Sequence, residues 1–578
     1  MDYYPRPQLE RNEWTCLDGR WSFAFDDNHR GLAESWYLEH VFDRSIEVPF
    51  AYQCAASGIG DQDVHDWVWY ERSVQVKGPF SGRIVRLHIG ACDYETTVWV
   101  NGQHVGDHTG GQTPFCFDIE RLLGQDGDAR ITMLVRDRSL DTTIPRGKQS
   151  FTGRSEGIFY TNTTGIWQSV WLEILNTSHI EEIQFTPDTL SNTVRMELTL
   201  QSTASSRIHT RILRGNEIVV EDNAEVTEED SFVATYSIAD FNDHHYGYWW
   251  SPDSPHLYDV QIELWANGEV ADSVHSYFGI RSFSVENGKF CLNHMPFYTR
   301  SILYQGYYPE SLLTAKSDAE LESDVRLIKE MGFNSVRLHQ KFENPRLLYW
   351  CDKLGLVVWG EAPNAFSYSR HGSERLVREW MDIIRRDYSH PCIGAWVPIN
   401  ESWGIPSMKN IPEQRWFSKA MHALTKSLDP TRPVMSNDGW EHTDSDLCTV
   451  HDYDSDCDML RARYSDMRNV LPGPQGRPIY VGDGEYHGEP VLLTEFGGIA
   501  FDSNYYGAKA WGYSGADDAE AFAKQVTDII STVRSIPLLQ GYCYTQFNDT
   551  EQEVNGLVTI GRKPKIDVTQ VAAANGCV

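Results

Sequence analysis

The segment after residue 290 restricts the fold more than any other, because short apolar runs alternate there with helical patterns. Ser317 and Glu320 form a capping box that predicts the start of a helix, and Gly332 predicts its end. Asn344-Pro345 predicts the start of a second helix, since proline fits the first helical turn. An apolar run follows each helix, so the pattern indicates alternating helices and strands.

Eight apolar runs in this segment have the length and composition of strands. They are Tyr298–Leu303, Asn334–Leu338, Leu356–Glu361, Ile393–Pro398, Pro433–Ser436, Leu447–Val450, Val491–Thr494 and Gly541–Thr545. Helical patterns between them include Ser373–Tyr388, Gln414–Ser427 and Ala516–Val533. Eight such units between residues 284 and 578 predict a closed parallel (β/α)8 barrel.

The first half of the chain has a β pattern. Val98-Trp99-Val100 leads into Asn101-Gly102, and a second alternating run leads into Asn267-Gly268. Asn-Gly between alternating runs favours a tight hairpin turn, since both residues tolerate positive φ. No amphipathic helix is predicted between residues 60 and 280. Boundaries near residues 176 and 283 divide this half into two predicted β-sandwiches, residues 1–176 and 177–283, ahead of the barrel at 284–578.

The composition excludes several classes of partner. A net charge of −32 repels nucleic acid and anionic membranes. No run of 18 apolar residues exists, so no membrane-spanning helix is predicted. The first residues carry neither a basic nor an apolar signal segment, and the 11 cysteines are scattered. This pattern is typical of a reducing cytoplasm, and we expect a cytoplasmic protein.

No cofactor or metal is expected from the motifs. The chain has no Gly-rich phosphate loop and no paired-cysteine metal spacing. Asp454-x-Asp456-x-Asp458 begins like a calcium loop. Met459 and Ser465, however, occupy the positions of its glycine and its last glutamate.

Polar residues cluster just past the predicted strand ends. In a parallel barrel those ends meet at one mouth, where the chemistry of such folds takes place. Many polar groups around one mouth describe a pocket for a polyhydroxylated ligand. The candidates in chain order are Arg337, His339, Lys341, Glu361, Asn400, Glu401, Asp438, His451, Tyr453, Glu495 and Gln546.

Glu401 and Glu495 follow the fourth and seventh strands and have a specific use together. Glycoside cleavage needs one carboxyl to protonate the leaving oxygen and another to attack or stabilise the anomeric carbon. Their pKa values must differ, which unequal burial achieves. Aromatic rings that can stack on a sugar are Trp403, Trp440, Tyr453 and Tyr544.

With these motifs the chain resembles glycoside hydrolase family 2, the bacterial β-galactosidase and β-glucuronidase group. Asn400-Glu401 matches the family's acid/base pair, Glu495 its nucleophile, and Asn334-Ser335-Val336-Arg337 its arginine-bearing strand. The resemblance implies a sugar-binding-like jelly roll at 1–176, an immunoglobulin-like sandwich at 177–283 and a catalytic TIM barrel at 284–578. It covers nearly the whole chain.

The resemblance further implies an exo-acting retaining β-glycosidase, with galactosides as the expected substrates. Glu401 would act as general acid and then base, and Glu495 as nucleophile. Asn400 would bind the sugar 2-hydroxyl, Arg337 would keep Glu495 ionised, and Tyr453 would hydrogen-bond the nucleophile. A retaining pair requires carboxyls about 5–5.5 Å apart.

The sequence departs from the family pattern at two places. His339-Gln340-Lys341-Phe342 replaces the usual Ser-His-x-Pro. After strand eight, Glu553-Val554-Asn555-Gly556 falls where glucuronidases have Asn-x-Lys-Gly, whose amide and ammonium hold the substrate carboxylate. Like charges 4 Å apart repel by about 4 kcal/mol at an effective dielectric near 20, so Glu553 predicts a preference for neutral sugars.

Several alternatives stay open on the sequence. If Glu553 faces solvent, Arg562 or Lys565 could hold a uronate instead. An α-L-arabinopyranosidase and a β-glucuronidase fit the same motifs. A non-catalytic carbohydrate-binding protein on the same scaffold is the rival from another class. The expected partner is a glycoside or oligosaccharide, and a homo-oligomer is neither required nor excluded.

Overall fold

The computed structural model describes residues 3–80, 82–202, 206–227, 230–238, 248–501 and 510–577. Its three largest hydrophobic cores follow one another along the chain. They are centred on residues 17–172, 180–280 and 283–574. The predicted combination of two sandwiches and a C-terminal barrel is confirmed.

The first domain packs two antiparallel sheets around one core. The larger sheet contains, in spatial order, Arg44–Val48, Gly19–Phe25, Trp67–Gln75, Asp128–Arg136, Glu95–Val100 and Gln103–Thr109. The smaller contains Trp14–Cys16, Val170–Leu175, Ile84–Ile89 and Phe115–Asp118. Cys92–Asp93 pairs with Gly165–Ile166, and short 3-10 turns occupy Ala55–Ser57 and Glu120–Leu122.

The second domain is a smaller antiparallel sandwich. One sheet holds His179–Asp188, Thr193–Gln201 and Ser231–Ser237, and the other Glu217–Glu225, Ser206–Arg214, Tyr258–Ala266 and Glu269–Phe278. Both predicted hairpin turns are confirmed. Asn101 and Gly102 have φ of 49° and 77°, and Asn267 and Gly268 have 55° and 84°. Short strands lead to the barrel at Trp250–Ser251, Ser254–Pro255, Phe283–Glu286, Lys289–Leu292 and Met295–Pro296.

The third domain is a curled parallel sheet with helices outside it. The strands in spatial order are Ile393–Val397, Val357–Glu361, Ser335–Leu338, Thr299–Tyr304, Leu539–Thr545, Val491–Gly497 and Cys448–His451. The helices are Asp318–Glu330, Pro345–Leu354, Arg370–Asp387, Pro412–Leu428, Cys457–Arg463, Met467–Val470, Ala519–Ser535 and Val568–Ala574. Ile499–Ala500 pairs with Ser514–Gly515, and Pro474–Gly476 forms a 3-10 turn.

The predicted fifth strand, Pro433–Ser436, is wrong as a strand. Two parallel bridges, Trp396 with Val434 and Asn400 with Asp438, are what the described residues retain of it. Pro433 has no N–H to donate to a ladder, which weakens regular pairing here. The segment still closes the gap beside the fourth strand and carries its polar residues to the mouth.

Local signals for the helix ends are confirmed. The Ser317 hydroxyl accepts from the Glu320 N–H at 3.3 Å. Asn344 caps the helix that begins at Pro345, and Gly355 ends that helix at φ 77°. In the described part of the chain, no helix has the length and apolar character needed to cross a membrane.

A loop of the first domain reaches the barrel mouth. The Gly147 N–H donates to the carbonyl of Asn364 at 3.1 Å. Gly147 has φ 61°, and a Cβ there would lie 2.1 Å from the carbonyl oxygen of Gln340. Only glycine accommodates both conditions, so the loop and the barrel are closely docked at this point.

Arg11 joins three parts of the chain. Its guanidinium pairs with Glu173 at 2.9 Å and with Asp272 at 2.9 Å, and all three side chains are buried. Arg11 precedes the first strand, while its two partners lie in the first and second sandwiches. Removing one member of a buried ion network leaves uncompensated charge, which is strongly destabilising.

We therefore expect Arg11→Ala to lower the free energy of unfolding by about 3–5 kcal/mol. Denaturant unfolding followed by tryptophan fluorescence measures the loss at the earliest transition. Arg30→Ala is the matched control, since the Arg30 side chain is 65% exposed and pairs with Glu34 at the surface. It should cost less than about 1 kcal/mol. Equal losses for the two variants would contradict the role of the buried junction.

Candidate active site

The turn Asn400–Gly404 places Glu401 at the barrel mouth. It follows the fully buried strand Ile393–Val397. Glu401 and Ser402 both have positive φ, 51° and 60°, which is costly for residues with a side chain. The Glu401 N–H donates to the carbonyl of Asp438 at 2.9 Å, and the Ser402 N–H donates to Asn437 Oδ1 at 2.8 Å. The irregular fifth segment therefore holds the strained turn.

Arg337 is the centre of the site and is completely buried. Its guanidinium contacts Glu361 at 2.6 Å, Glu495 at 2.9 Å and Asp438 at 3.0 Å. It also donates to Asn400 Oδ1 at 2.7 Å. One cation thus fixes four side chains from four segments of the barrel.

The two predicted catalytic glutamates face each other. A carboxylate oxygen of Glu401 and one of Glu495 lie within 4.8 Å. Inverting pairs are about 6.5–9.5 Å apart and retaining pairs about 5–5.5 Å, so the spacing is of the retaining kind. The Tyr453 hydroxyl donates to Glu495 Oε2 at 2.5 Å, as predicted.

His451 lies among three carboxylates. Its Nδ1 is 2.7 Å from Glu401 and 3.5 Å from Glu495, and its Nε2 is 3.2 Å from Asp438. Burial lowers the pKa of His451, but Glu495, Asp438 and Glu401 outweigh it and raise that pKa to about 10. Burial raises the pKa of Glu401, but His451 outweighs it and the pKa falls below its usual value. The two opposite shifts favour an imidazolium on His451 beside a carboxylate on Glu401.

Glu361 and His339 form the wall beside Arg337. Burial raises the pKa of Glu361 to about 7 against the opposing effect of Arg337. His339 Nδ1 lies 3.0 Å from Glu361 and 4.0 Å from Glu495. Burial and the Arg337 charge lower the pKa of His339, so it is a neutral ring at physiological pH.

Glu553 is buried and does not face solvent. It accepts from the Tyr160 hydroxyl at 2.5 Å and from Asn555 Nδ2 at 2.9 Å. Gln546 Nε2 donates in turn to Asn555 at 2.7 Å. Burial raises the pKa of Glu553, and Glu495 adds to that rise while Lys148 opposes it. Gln546 and Glu553 thus belong to one hydrogen-bonded chain.

Three cations that the sequence offered as substrate contacts bind groups of the protein instead. Lys341 Nζ donates to the carbonyls of Gly306 and Leu313 and pairs with Glu343. A substrate contact by Lys341 is therefore a prediction that the geometry does not support. Arg562 binds Asp324 and the carbonyl of Tyr307. Lys565 Nζ donates to Asp549 and to the carbonyls of Phe501 and Val554.

The aromatic candidates separate into two groups. Trp403 lies against Phe159 and Phe366, with ring centroids 5.5 Å and 6.2 Å apart, on the acid/base side of the mouth. Trp440 packs edge-on against His451 at 5.6 Å. Tyr544 was predicted to contact substrate, but it is fully buried and packs edge-on against Phe496. It belongs to the hydrophobic core of the barrel domain.

Two residues of the first domain reach the site without having been predicted. Tyr160 holds Glu553, and Lys148 lies over the Trp403 ring at 5.6 Å. Asn437 and Asn364, also unpredicted, hold the Ser402 and Asn400 backbone N–H groups at 2.8 Å each. The barrel pattern contains no signal for the first-domain residues. The two asparagines adjoin strand ends and could have been found there.

Two groups of described residues have metal-ligand types within reach of one another. Asp352, His390 and Cys392 are buried, and Asp352 already accepts from His390 and Tyr277. Glu401, His451 and Glu495 also lie together, but the Arg337 guanidinium occupies the same Glu495 oxygen. The acidic run near Asp456 caps the helix Cys457–Arg463. Hydrogen bonds and ion pairs within the protein therefore satisfy these groups.

Three family models match successive parts of the chain. The model for the sugar binding domain of glycosyl hydrolases family 2 matches residues 14–174. A second model of glycosyl hydrolases family 2 matches residues 178–281. The model for the family's TIM barrel domain matches residues 283–574.

The individual proteins that are similar to the chain include beta-glucuronidases and a beta-galactosidase. A beta-glucuronidase of Canis lupus familiaris is 28% identical over 479 residues, 76% of this chain and 70% of that protein. A beta-galactosidase of Thermoanaerobacter pseudethanolicus is 28% identical over 385 residues, 65% of this chain and 49% of that protein. The solved structure of Ruminococcus gnavus beta-glucuronidase has a TM-score of 0.80 and 17% identity over 100% of both chains, a likeness of fold.

The charge on His451 should make stability depend on pH. Its pKa is about 10 in the folded protein, against about 6.5 in an unfolded chain. The imidazolium therefore stabilises the fold fully below about pH 6.5, and this contribution is lost as the pH rises toward 10. Between about pH 7 and pH 10 the wild-type Tm should fall further than that of His451→Asn.

Differential scanning calorimetry across this range measures the effect. His104→Asn is the control, since the His104 side chain is 51% exposed. It should follow the wild type. Parallel declines of Tm in the wild type and His451→Asn would refute the charged state assigned to His451.

Proposed function

The chain belongs to glycosyl hydrolase family 2, and we propose that it is an exo-acting enzyme that releases terminal neutral sugars, chiefly from β-D-galactosides. It is a glycoside hydrolase, a retaining β-glycosidase. The alternative of a non-catalytic carbohydrate-binding protein is set aside by this membership. A cytoplasmic location is proposed from the composition.

The catalytic roles follow from the spacing of the two glutamates. Glu495 attacks the anomeric carbon while Glu401 protonates the departing oxygen, and a covalent glycosyl-enzyme forms. Glu401 then takes a proton from water, which attacks the same carbon and releases Glu495. Arg337 and Tyr453 hold Glu495 for the attack by contacts of 2.9 Å and 2.5 Å. Each of the two displacements inverts the anomeric carbon, so the configuration is retained overall.

His451 supplies a place for the proton that Glu401 delivers. In the unliganded site the proton lies on His451, 2.7 Å from Glu401. When the proton moves to Glu401 and on to the leaving oxygen, a neutral imidazole remains. Deprotonation of water in the second step restores the charge. The Glu401–His451 pair therefore ends the cycle with the proton count with which it began.

The observation that carries the choice of a neutral sugar is the buried carboxyl of Glu553. A uronate beside it would need a cation, and Arg562 and Lys565 are bound to Asp324 and Asp549. A hydroxyl can donate to Glu553, whereas a second carboxylate is repelled. An α-L-arabinopyranoside, which lacks the exocyclic carbon, fits the same argument.

A β-glucuronidase is the second candidate. It is supported by Lys148, whose charge acts on Glu553. It is also consistent with the named activity of relatives such as the canine protein at 28% identity. The two candidates differ in the charge of one substituent on the sugar, so one comparison of substrates separates them.

Substitution of the two glutamates should have different effects. Glu495→Gln should remove nearly all turnover with every leaving group. Glu401→Gln should lose about 100- to 10,000-fold on glycosides with poor leaving groups and little on the first step of activated aryl glycosides. Azide should restore Glu401→Gln on activated substrates, because it attacks without a general base. Identical losses on all substrates, with no response to azide, would reverse this assignment.

The sugar preference is tested with nitrophenyl β-D-galactoside and nitrophenyl β-D-glucuronide under identical conditions. We expect the larger kcat/KM for the galactoside, because Glu553 repels a uronate. Glu553→Gln should narrow the difference, since it removes the charge and keeps the shape. A glucuronide preference of about tenfold or more in the wild type, 1.4 kcal/mol, would favour the second candidate.

A further inference from the structure

Lys148 is delivered to the barrel mouth by the first domain. It lies in the loop between the strands Asp128–Arg136 and Gly165–Ile166. Its carbonyl accepts from the Tyr160 N–H at 3.0 Å, so the backbone is fixed beside the residue that holds Glu553. The side chain is 8% exposed. A flexible surface lysine would show neither the anchoring nor the burial.

The ammonium of Lys148 lacks the partners that buried lysines normally have. Among the described residues it makes no hydrogen bond and no ion pair, and its contact is the face of Trp403, 5.6 Å from the ring centroid. Lys341, equally buried, has two carbonyls and a carboxylate. A cation–π contact uses none of the three N–H donors of the ammonium, so these stay open to an acceptor at the mouth.

The same cavity contains other buried polar atoms without partners. Lys148 lines it together with Gln305, Tyr307, His339 and Gln340. Among the described residues, Gln305 Oε1, the Tyr307 hydroxyl and Gln340 Nε2 have no hydrogen-bond partner. The cavity measures about 10 Å³, room for a single water molecule, which could satisfy these atoms beside the ammonium.

The ammonium of Lys148 lies close to residues of the candidate active site. Trp403, on which it lies, is two residues beyond Glu401. The Lys148 charge also lowers the pKa of Glu401, of Glu553 and of His339. These three residues follow the fourth, eighth and second barrel strands. The ring contact with Trp403 and the backbone bond to Tyr160 place Lys148 at the barrel mouth, on the side of Glu401 and Glu553.

We propose that Lys148 is a specificity-determining residue that donates a hydrogen bond to an oxygen of the sugar bound between Glu401 and Glu495. The inference rests on the proposed function, because it takes the partner of the ammonium to be the sugar of that reaction. The acceptor is a sugar hydroxyl in a neutral substrate and a carboxylate oxygen in a uronide. In both cases the first domain takes part in choosing the substrate.

The test is a cycle of enzyme and substrate changes. Lys148→Met keeps the length and apolar stem but removes the donors. On the preferred nitrophenyl glycoside, kcat/KM should fall about 10- to 100-fold. The wild type and Lys148→Met are then compared on 2-, 3-, 4- and 6-deoxy analogues. The analogue that lacks the acceptor should be hydrolysed equally by both enzymes, while the others keep the difference.

Matched variants separate recognition from folding. Lys148→Arg should restore most of the activity. Lys148→Gln, an uncharged donor, should restore it in part for a hydroxyl acceptor and little for a carboxylate. Lys341→Met should lower Tm and reduce kcat/KM by one common factor on all analogues. A common factor for Lys148→Met as well, or no loss at all, would overturn the proposal.

The outcomes also show separately whether the role of Lys148 and the proposed preference for neutral sugars are correct. If the glucuronide is the better substrate and Lys148→Met loses it selectively, the neutral-sugar proposal fails and the role of Lys148 stands. If the galactoside is preferred and Lys148→Met changes nothing, the role of Lys148 fails and the sugar assignment stands.

Discussion

The burial of one guanidinium governs the rest of the site. Arg337 is completely buried, so its charge must be balanced within the protein. Glu361, Asp438 and Glu495 supply three carboxylates. Asp438 and Glu495 also help to hold His451 in its charged form. Each partner comes from a different segment of the barrel, so a catalytic arrangement exists only when all these segments are in place. The charge of Arg337 is therefore balanced only when the barrel is closed.

That condition explains the strained turn at the acid/base residue. Glu401 and Ser402 adopt a left-handed backbone that neither side chain favours. The cost is offset by backbone hydrogen bonds to Asp438 and Asn437. The bond from Glu401 belongs to the parallel bridge between Asn400 and Asp438, so the remnant of fifth-strand pairing is what fixes the acid/base turn.

Sequence patterns predicted the features that are local. Caps at Ser317 and Asn344, two Asn-Gly hairpins and seven of eight strands depend on neighbouring residues, which a pattern can report. The polar strand ends were predictable too, because parallel topology brings them to one rim. Lys341 and Tyr544 illustrate the limit. Both occupy plausible positions, but the partners that engage them come from distant segments.

The contributions of the first domain lay beyond any local pattern. Lys148 and Tyr160 sit in a sandwich whose own fold gives no reason for a lysine and a tyrosine at those positions. Their role is evident only from their contacts with the barrel. The roles of such residues can be recognised from the three-dimensional structure, but not from the sequence pattern of either domain.

The bond between Tyr160 and Glu553 spans 393 residues and so has a consequence for biosynthesis. At roughly 5–20 residues per second, a ribosome needs about 20–80 s to make the second partner after the first. During that interval the sandwiches have emerged while the pocket lacks its last wall. A nascent chain that has not yet reached residue 553 therefore carries the loop of the first domain but no complete site.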